Sequence, residues 1–236
     1  MTESAPDRSC FGGFLLAGFP PNLRGNTMTT IVIKQHILKS VSYAMAKNEI
    51  RYYLDGVLIE HNGAETRLVA TDGHRLHAAL IEHPAGVLVD PVTAIMPRDF
   101  VLALCKVKGR KGVSPEIFLT IDGAKLEAAL PDGTAISSPA IDGRFPDYPK
   151  TIPESFSGEV GAYRPDYILD AHKGVADFFG IKDHSMPFVQ NGKGAGGISI
   201  PGFVAIAMPY IATEPCGIDT RFKSPIASPE KLQVAA

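Results

Sequence analysis

NEIRYYLDGVLIEHNGAETRLVATDGHRL, residues 48–76, is the stretch on which the fold turns. Tyr52–Glu60 and Glu65–Thr71 are rich in β-branched and aromatic residues and alternate in polarity, the pattern of half-buried strands. Asn62-Gly63 separates them, and Asp72-Gly73 separates the second from a third run, Arg75–Ile81. Both dipeptides favour tight hairpin turns. Upstream, Thr29–Ile33 reads as a short strand. Lys34–Lys47 then changes to helical spacing, with Ile37, Leu38, Val41, Ala44 and Met45 on one face. The unit is strand–helix–strand–strand–strand.

The same order recurs twice. Val92–Met96 opens a second unit, and Pro97 suits the first position of a helix whose stripe is Phe100, Val101 and Leu104. Glu116–Ile121, Lys125–Leu130 and Thr134–Ile141 follow as strands, divided by Asp122-Gly123 and Asp132-Gly133. A third unit begins with Gly158–Tyr163, continues as a helix from about Arg164 to Phe179, and closes with Pro187–Gln190, Ile198–Ile200 and Phe203–Met208. The units span 29–83, 84–142 and 158–210, and near-equal repetition of one element order is the mark of a repeat fold. Between the second and third lies RFPDYPKTIP (144–153), with three prolines in ten residues, which reads as an extended linker. The expected organisation is an α+β fold: a two-unit domain over 28–142, a linker over 143–157, a half domain over 158–210, an N-terminal extension (1–27) and a C-terminal tail (211–236).

At 236 residues with 45% hydrophobic and 20% charged residues, the composition is that of a globular chain. No apolar run nears the roughly 18 residues of a membrane span. FGGFLLAGF (11–19) is short, follows Glu3 and Asp7 and is not succeeded by a small-residue cleavage site, which argues against a secretory signal. Cys10, Cys105 and Cys216 are widely spaced and lack a CxxC, a usage that fits a reducing cytoplasm rather than a disulfide or zinc framework.

Net charge is −2, so any affinity for phosphate must come from local distribution. Lys34, Lys39 and Lys47 share the first helical stretch with His36 and no acidic residue; Arg98, Lys106, Lys108, Arg110 and Lys111 crowd the second helix and its exit against one Asp99. A solvated basic face explains this as well as phosphate contact does. The third helix departs from the pattern, since Asp166, Asp170 and Asp177 outnumber Arg164 and Lys173. Asp72, His74 and His77, with His61 or His83, could suggest a metal or hydrolytic group, yet strand alternation sends their side chains to opposite faces. NGKGAGG (191–197) lacks the order of a phosphate loop and reads as a hairpin loop. No metal, cofactor or catalytic residue is expected.

Residues 48–76 resemble the signature of the middle domain of bacterial DNA polymerase III beta subunits, the DNA sliding clamps, in which RYYLNG leads through a hairpin to VATDGHRL. DGRFPDYPKTIP (142–153) resembles the family's segment joining its middle and last domains, and FVAIAMPY (203–210) its closing strand. The resemblance covers roughly 28–210. It implies a ring of repeated units with strands outside and helices lining a hole for duplex DNA, a partner bound without regard to sequence. It also implies a hydrophobic pocket that captures peptides of polymerases and clamp loaders. Residue by residue, that pocket falls on Leu54, Thr71, Gly73, His74, Arg75, Leu76, Pro146, Ile206, Met208 and Pro209, with His74 and Arg75 as a polar rim. DNA contact falls on Lys34, Lys39, Lys47, Asn48, Tyr52, Tyr53, Lys106, Lys108, Arg110 and Lys111. Departures are Lys150 and Thr151, where the family commonly has Arg and Val, and Tyr210-Ile211, where it has Met-Arg. The family's first domain and half of its last have no counterpart. If family rings hold twelve units, three per chain imply a homotetramer. The alternative is a clamp-derived interaction protein of phage or plasmid type that competes for clamp-binding peptides or caps a host clamp without encircling DNA.

Overall fold

The computed structural model describes residues 28–84, 91–109, 113–182 and 184–210. The expected extension (1–27) and tail (211–236), together with Arg110 and Lys111, lie outside these. The first unit comprises β1 (Met28–Lys34), α1 (Gln35–Ser42), β2 (Gly56–His61), β3 (Glu65–Thr71) and β4 (Arg75–Glu82). The second comprises β5 (Val92–Pro97), α2 (Arg98–Cys105), β6 (Glu116–Asp122), β7 (Lys125–Ala129) and β8 (Ala135–Pro139). The third contributes α3 (Pro165–Phe179), β9 (Gly196–Ile200) and β10 (Phe203–Ala207).

The first two units exchange their leading strands. β1 lies antiparallel to β6, from Met28 opposite Asp122 to Lys34 opposite Glu116. β5 lies antiparallel to β2, from Gly56 opposite Pro97 to His61 opposite Val92. Two sheets result, with orders β1-β6-β7-β8 and β5-β2-β3-β4-β10-β9. At the β2–β5 crossing the chains run so close that a Cβ on Gly56 would stand 2.2 Å from the Met96 carbonyl oxygen. Only glycine fits there.

Strand alternation sorts side chains into two cores. Ile31, Ile33, Val57, Ile59, Ile117 and Leu119 turn inward against Leu38 and Val41 of α1 and Phe100, Val101 and Leu104 of α2. Each such fully buried aliphatic contributes about 1.5–3 kcal/mol. On the other face of the six-stranded sheet, Leu58, Val69, Leu76, Ile95 and Ile206 form a second cluster, packed under Phe145, Tyr148, Ile152 and Phe156. The proline-rich segment is therefore a strap rather than a simple extended linker. Its Tyr148–Thr151 turn buries Tyr148, whose hydroxyl donates to Glu60 at 2.7 Å.

The third unit joins the edge of the first: β10 pairs with β4, Ile206 opposite Leu76. α3 packs against α1, β4 and β10. Gly174 makes this approach possible, since a Cβ there would meet Phe203 at 2.9 Å and His77 Nδ1 and the Ser40 carbonyl at 3.0 Å.

Four expectations are corrected. α1 stops at Ser42, not Lys47, because the chain turns so that Ala46 N–H reaches the Leu54 carbonyl at 3.2 Å and Arg98 reaches the Ala46 carbonyl at 2.6 Å. Pro97 is the N-cap of α2 rather than its first residue, being held in extended conformation by pairing with Gly56. Gly158–Tyr163 forms no strand; the leading strand of a unit is completed by a neighbouring unit, and among the described residues the third has none opposite it. Tyr52–Leu54 is a short 3-10 turn instead of the start of β2.

Gly174→Val should destabilise the fold by about 2 kcal/mol through overpacking of α3 on His77 and Phe203. The urea midpoint read by far-UV circular dichroism measures it.

Candidate nucleic-acid interface and peptide groove

The three helices form one layer. Lys34 is exposed at the head of α1, and Lys106 and Lys108 are exposed beyond the end of α2, where cations complement the helix dipole. The thiol of Cys105 is pushed up to about 11, chiefly by burial, and feels the charge of Lys39, which sets Lys39 beside the end of α2. Lys39 is not free: its ammonium lies 3.0 Å from Asp177 of α3. The Tyr43 hydroxyl donates to the other oxygen of that carboxylate at 2.6 Å. Burial and then the Asp177 bond raise the Tyr43 pKa. Lys173 pairs with Asp170 at 2.9 Å and stands over the Tyr43 ring. The acidic residues of α3 thus dock it onto a basic neighbour.

Lys47 and Asn48 lie in an exposed loop, and Asn48 has φ 56°, a left-handed conformation that Asn tolerates better than most residues. Tyr52 is 58% exposed. Tyr53 is half-buried against the outer cluster, with its ring edge-on to that of Tyr52.

At one end of β3, β4 and β10 the structure gathers much of the expected pocket. Leu76 and Ile206 are buried side by side in the outer cluster. Thr71 Oγ donates to the Arg75 carbonyl at 2.6 Å and accepts from Gly73 N–H at 3.0 Å. Asp72 accepts from the His74 and Arg75 N–H groups, closing a turn in which Gly73 takes φ 89°. His74 is exposed, and its carbonyl accepts from Met208 N–H at 2.7 Å. Met208 is 45% exposed beside half-buried Pro209. Leu54 is fully buried.

Arg75 does not reach the rim. Strand alternation turns it toward the helix layer, where it pairs with Asp72 at 2.9 Å and with Asp170, its guanidinium over the Tyr167 ring. Pro146 stands on the strap. It lines a hollow of about 800 Å³ between β5, the β6–β7 turn and the strap. A second hollow, of about 460 Å³, lies beyond Tyr148 among Val69, Ala78, Ile152 and Val204. Glu60, Arg67 and Tyr148, which border these hollows, were absent from the sequence-based set. The facing of Glu60 and Arg67 across β2 and β3 was the available signal. Burial and the Glu60 bond push the Tyr148 phenol up to about 12.

His77, one residue from the rim, belongs to the inner core. It is 1% exposed, its Nδ1 lies 3.0 Å from the Ser40 carbonyl, and burial brings its pKa down to about 4. Asp72, His74 and His77 thus diverge, and no cluster of three metal-ligating side chains occurs among the described residues.

The sequence model for the central domain of the DNA polymerase III beta subunit matches residues 27–147, half of the chain. The chain belongs to the DNA polymerase III beta-subunit family. It is 34% identical over 121 residues to the beta sliding clamp of Escherichia coli strain K12, and 33% identical over 119 residues to that of Pseudomonas aeruginosa. Those matches take in 51% and 50% of this chain but 32% and 31% of the relatives, so the chain matches about a third of a curated clamp's length. Among solved structures, the beta subunit of P. aeruginosa superposes with a TM-score of 0.64 at 21% identity, over 82% of this chain and 69% of that one. The beta sliding clamp of C. crescentus gives 0.62 at 19%, over 83% and 69%. At these identities the likeness is one of fold. It reaches past the matched central domain into the third unit of this beta-subunit relative. No helix among its described residues is long and apolar enough to cross a membrane.

Stability should fall as pH drops from 6.5 toward 4. The unfolded chain protonates His77 first, so the contribution, on the order of 3 kcal/mol, is complete above 6.5 and lost toward the folded value. His61 and His172, also lowered by burial, act in the same sense. Thermal melts at pH 7 and 5 test this, and His77→Asn should lessen the slope.

Proposed function

We propose that this chain is a subunit of a DNA sliding clamp, a non-catalytic cytoplasmic ring that holds duplex DNA by enclosure and tethers a replicative polymerase. The observation that carries the reading is the layered two-unit domain with exchanged leading strands, in which α1 and α2 pack together against both sheets, with α3 of the third unit beside α1. In this reading the helix layer faces DNA. Lys34, Lys47, Lys106 and Lys108 approach phosphates, and Asn48 and Tyr52 flank the duplex; such contacts carry no base specificity. Lys39, already neutralised by Asp177, adds little, so the grip depends on topology more than on charge.

The peptide site is the end of β3, β4 and β10, with Leu76 and Ile206 as an apolar floor and His74, Met208 and Pro209 at the edge. Short peptides of a polymerase or clamp loader would anchor there through apolar side chains. With three units per chain, a twelve-unit ring is a homotetramer.

Protein assembled on nicked circular DNA should remain bound through gel filtration and be lost once the circle is cut, because only an enclosed duplex traps it. Equal retention on circle and linear DNA would overturn enclosure. Lys106→Gln with Lys108→Gln should reduce the salt dependence of binding by about two counterions.

A further inference from the structure

Along α3, Asp170, Lys173 and Asp177 follow one another at spacings of three and four, so one face of the helix carries two carboxylates with a lysine between them. Both carboxylates are shared. Asp177 accepts from Lys39 of α1 at 3.0 Å and from the Tyr43 hydroxyl at 2.6 Å. Asp170 accepts from Lys173 at 2.9 Å and from Arg75 of β4. The Lys173 ammonium also stands 5.8 Å from the centre of the Tyr43 ring, so the two lysines are gathered around one tyrosine.

The two partners of each carboxylate differ in exposure. The Lys39 and Lys173 side chains are 43% and 46% exposed, whereas that of Arg75 is 14% exposed and Tyr43 is half-buried. Tyr43 keeps its proton, because burial and then the Asp177 bond raise its pKa, and Arg75 is fixed from its other side by Asp72. Each carboxylate can therefore give up its lysine and still hold a sheltered donor. Exposed lysine–carboxylate pairs contribute little in water, so a phosphate oxygen competes readily for the same ammonium groups.

We propose that Lys39 and Lys173 form a phosphodiester seat on the seam between α1 and α3, in which Asp177 and Asp170 are internal counter-ions that yield the lysines when nucleic acid lies on the helix layer. The inference rests on that layer facing nucleic acid. It adds Lys173, and with it α3, to a surface otherwise drawn from the first two units. Its consequence is a contact with almost no net ion release: as a phosphate sheds its cation to the lysine, the vacated carboxylate takes one up.

Equilibrium binding of the full chain to a short fluorescent duplex across a salt series tests it. Asp170→Asn with Asp177→Asn removes the internal counter-ions, while each amide oxygen still accepts from Arg75 or Tyr43. The doubly altered chain should bind several-fold tighter at low salt, and its affinity should fall more steeply with salt, by about two ions. In the unaltered protein the duplex should slow acylation of the Lys173 amine several-fold, a readout that needs no substitution. Affinity and salt slope unchanged in the altered chain, or a Lys173 amine equally reactive with and without duplex, would overturn the inference. Binding that responds to Lys106→Gln with Lys108→Gln but not to the aspartate substitutions would overturn the seat and leave the helix-layer reading standing. A duplex bound by neither chain would overturn both.

Discussion

A unit of this fold cannot finish its own sheet. β2, β3 and β4 pair in sequence, but the edge of β2 is closed by β5 of the next unit, as the edge of β6 is closed by β1 of the previous one. Each leading strand is followed at once by its helix, so closing the neighbour's sheet also sets that helix over the joint core of Val41, Val101 and Leu104. The requirement for backbone partners along both edges thus dictates the layered arrangement. Gly56, where any side chain would strike the facing carbonyl, marks how tight the crossing is.

Electrostatics then distinguishes the third unit from the others. In an otherwise basic helix layer, Asp177 accepts from both Lys39 and Tyr43, and Asp170 from both Arg75 and Lys173. Each carboxylate is partly buried and doubly bonded, which makes these pairs stronger than exposed ones. The bonds from Lys39 and Tyr43 to Asp177 and from Arg75 to Asp170 tie α3 to the helix and strand beside it.

The outer face of the large sheet is covered by the strap. Phe145, Tyr148, Ile152 and Phe156 shield Leu58, Val69 and Ile95, and the Glu60–Tyr148 bond fixes the strap across β2. The strap leaves the end near Leu76, Ile206 and Met208 to the groove. Its Tyr148, hydrogen-bonded to Glu60 88 residues away in sequence, separates the two hollows.

The amino-acid sequence by itself determined the elements that depend on neighbouring residues. The turns at Asn62-Gly63, Asp72-Gly73, Asp122-Gly123 and Asp132-Gly133, the strand runs beside them and the helix over 165–179 all follow from local conformational preference and periodicity, and the structure has them. The RYYLDG and VATDGHRL stretches carried the family as well. What only the tertiary structure decided depends on distant partners. Leading strands pair outside their own units, so 158–163 has strand-like residues but no ladder. Arg75 faces acids on α3 that its own strand does not reveal, and Lys39 loses its freedom to Asp177, 138 residues away. A strand needs an edge to join and an ion pair needs its counter-charge; neither is encoded within the segment that uses it.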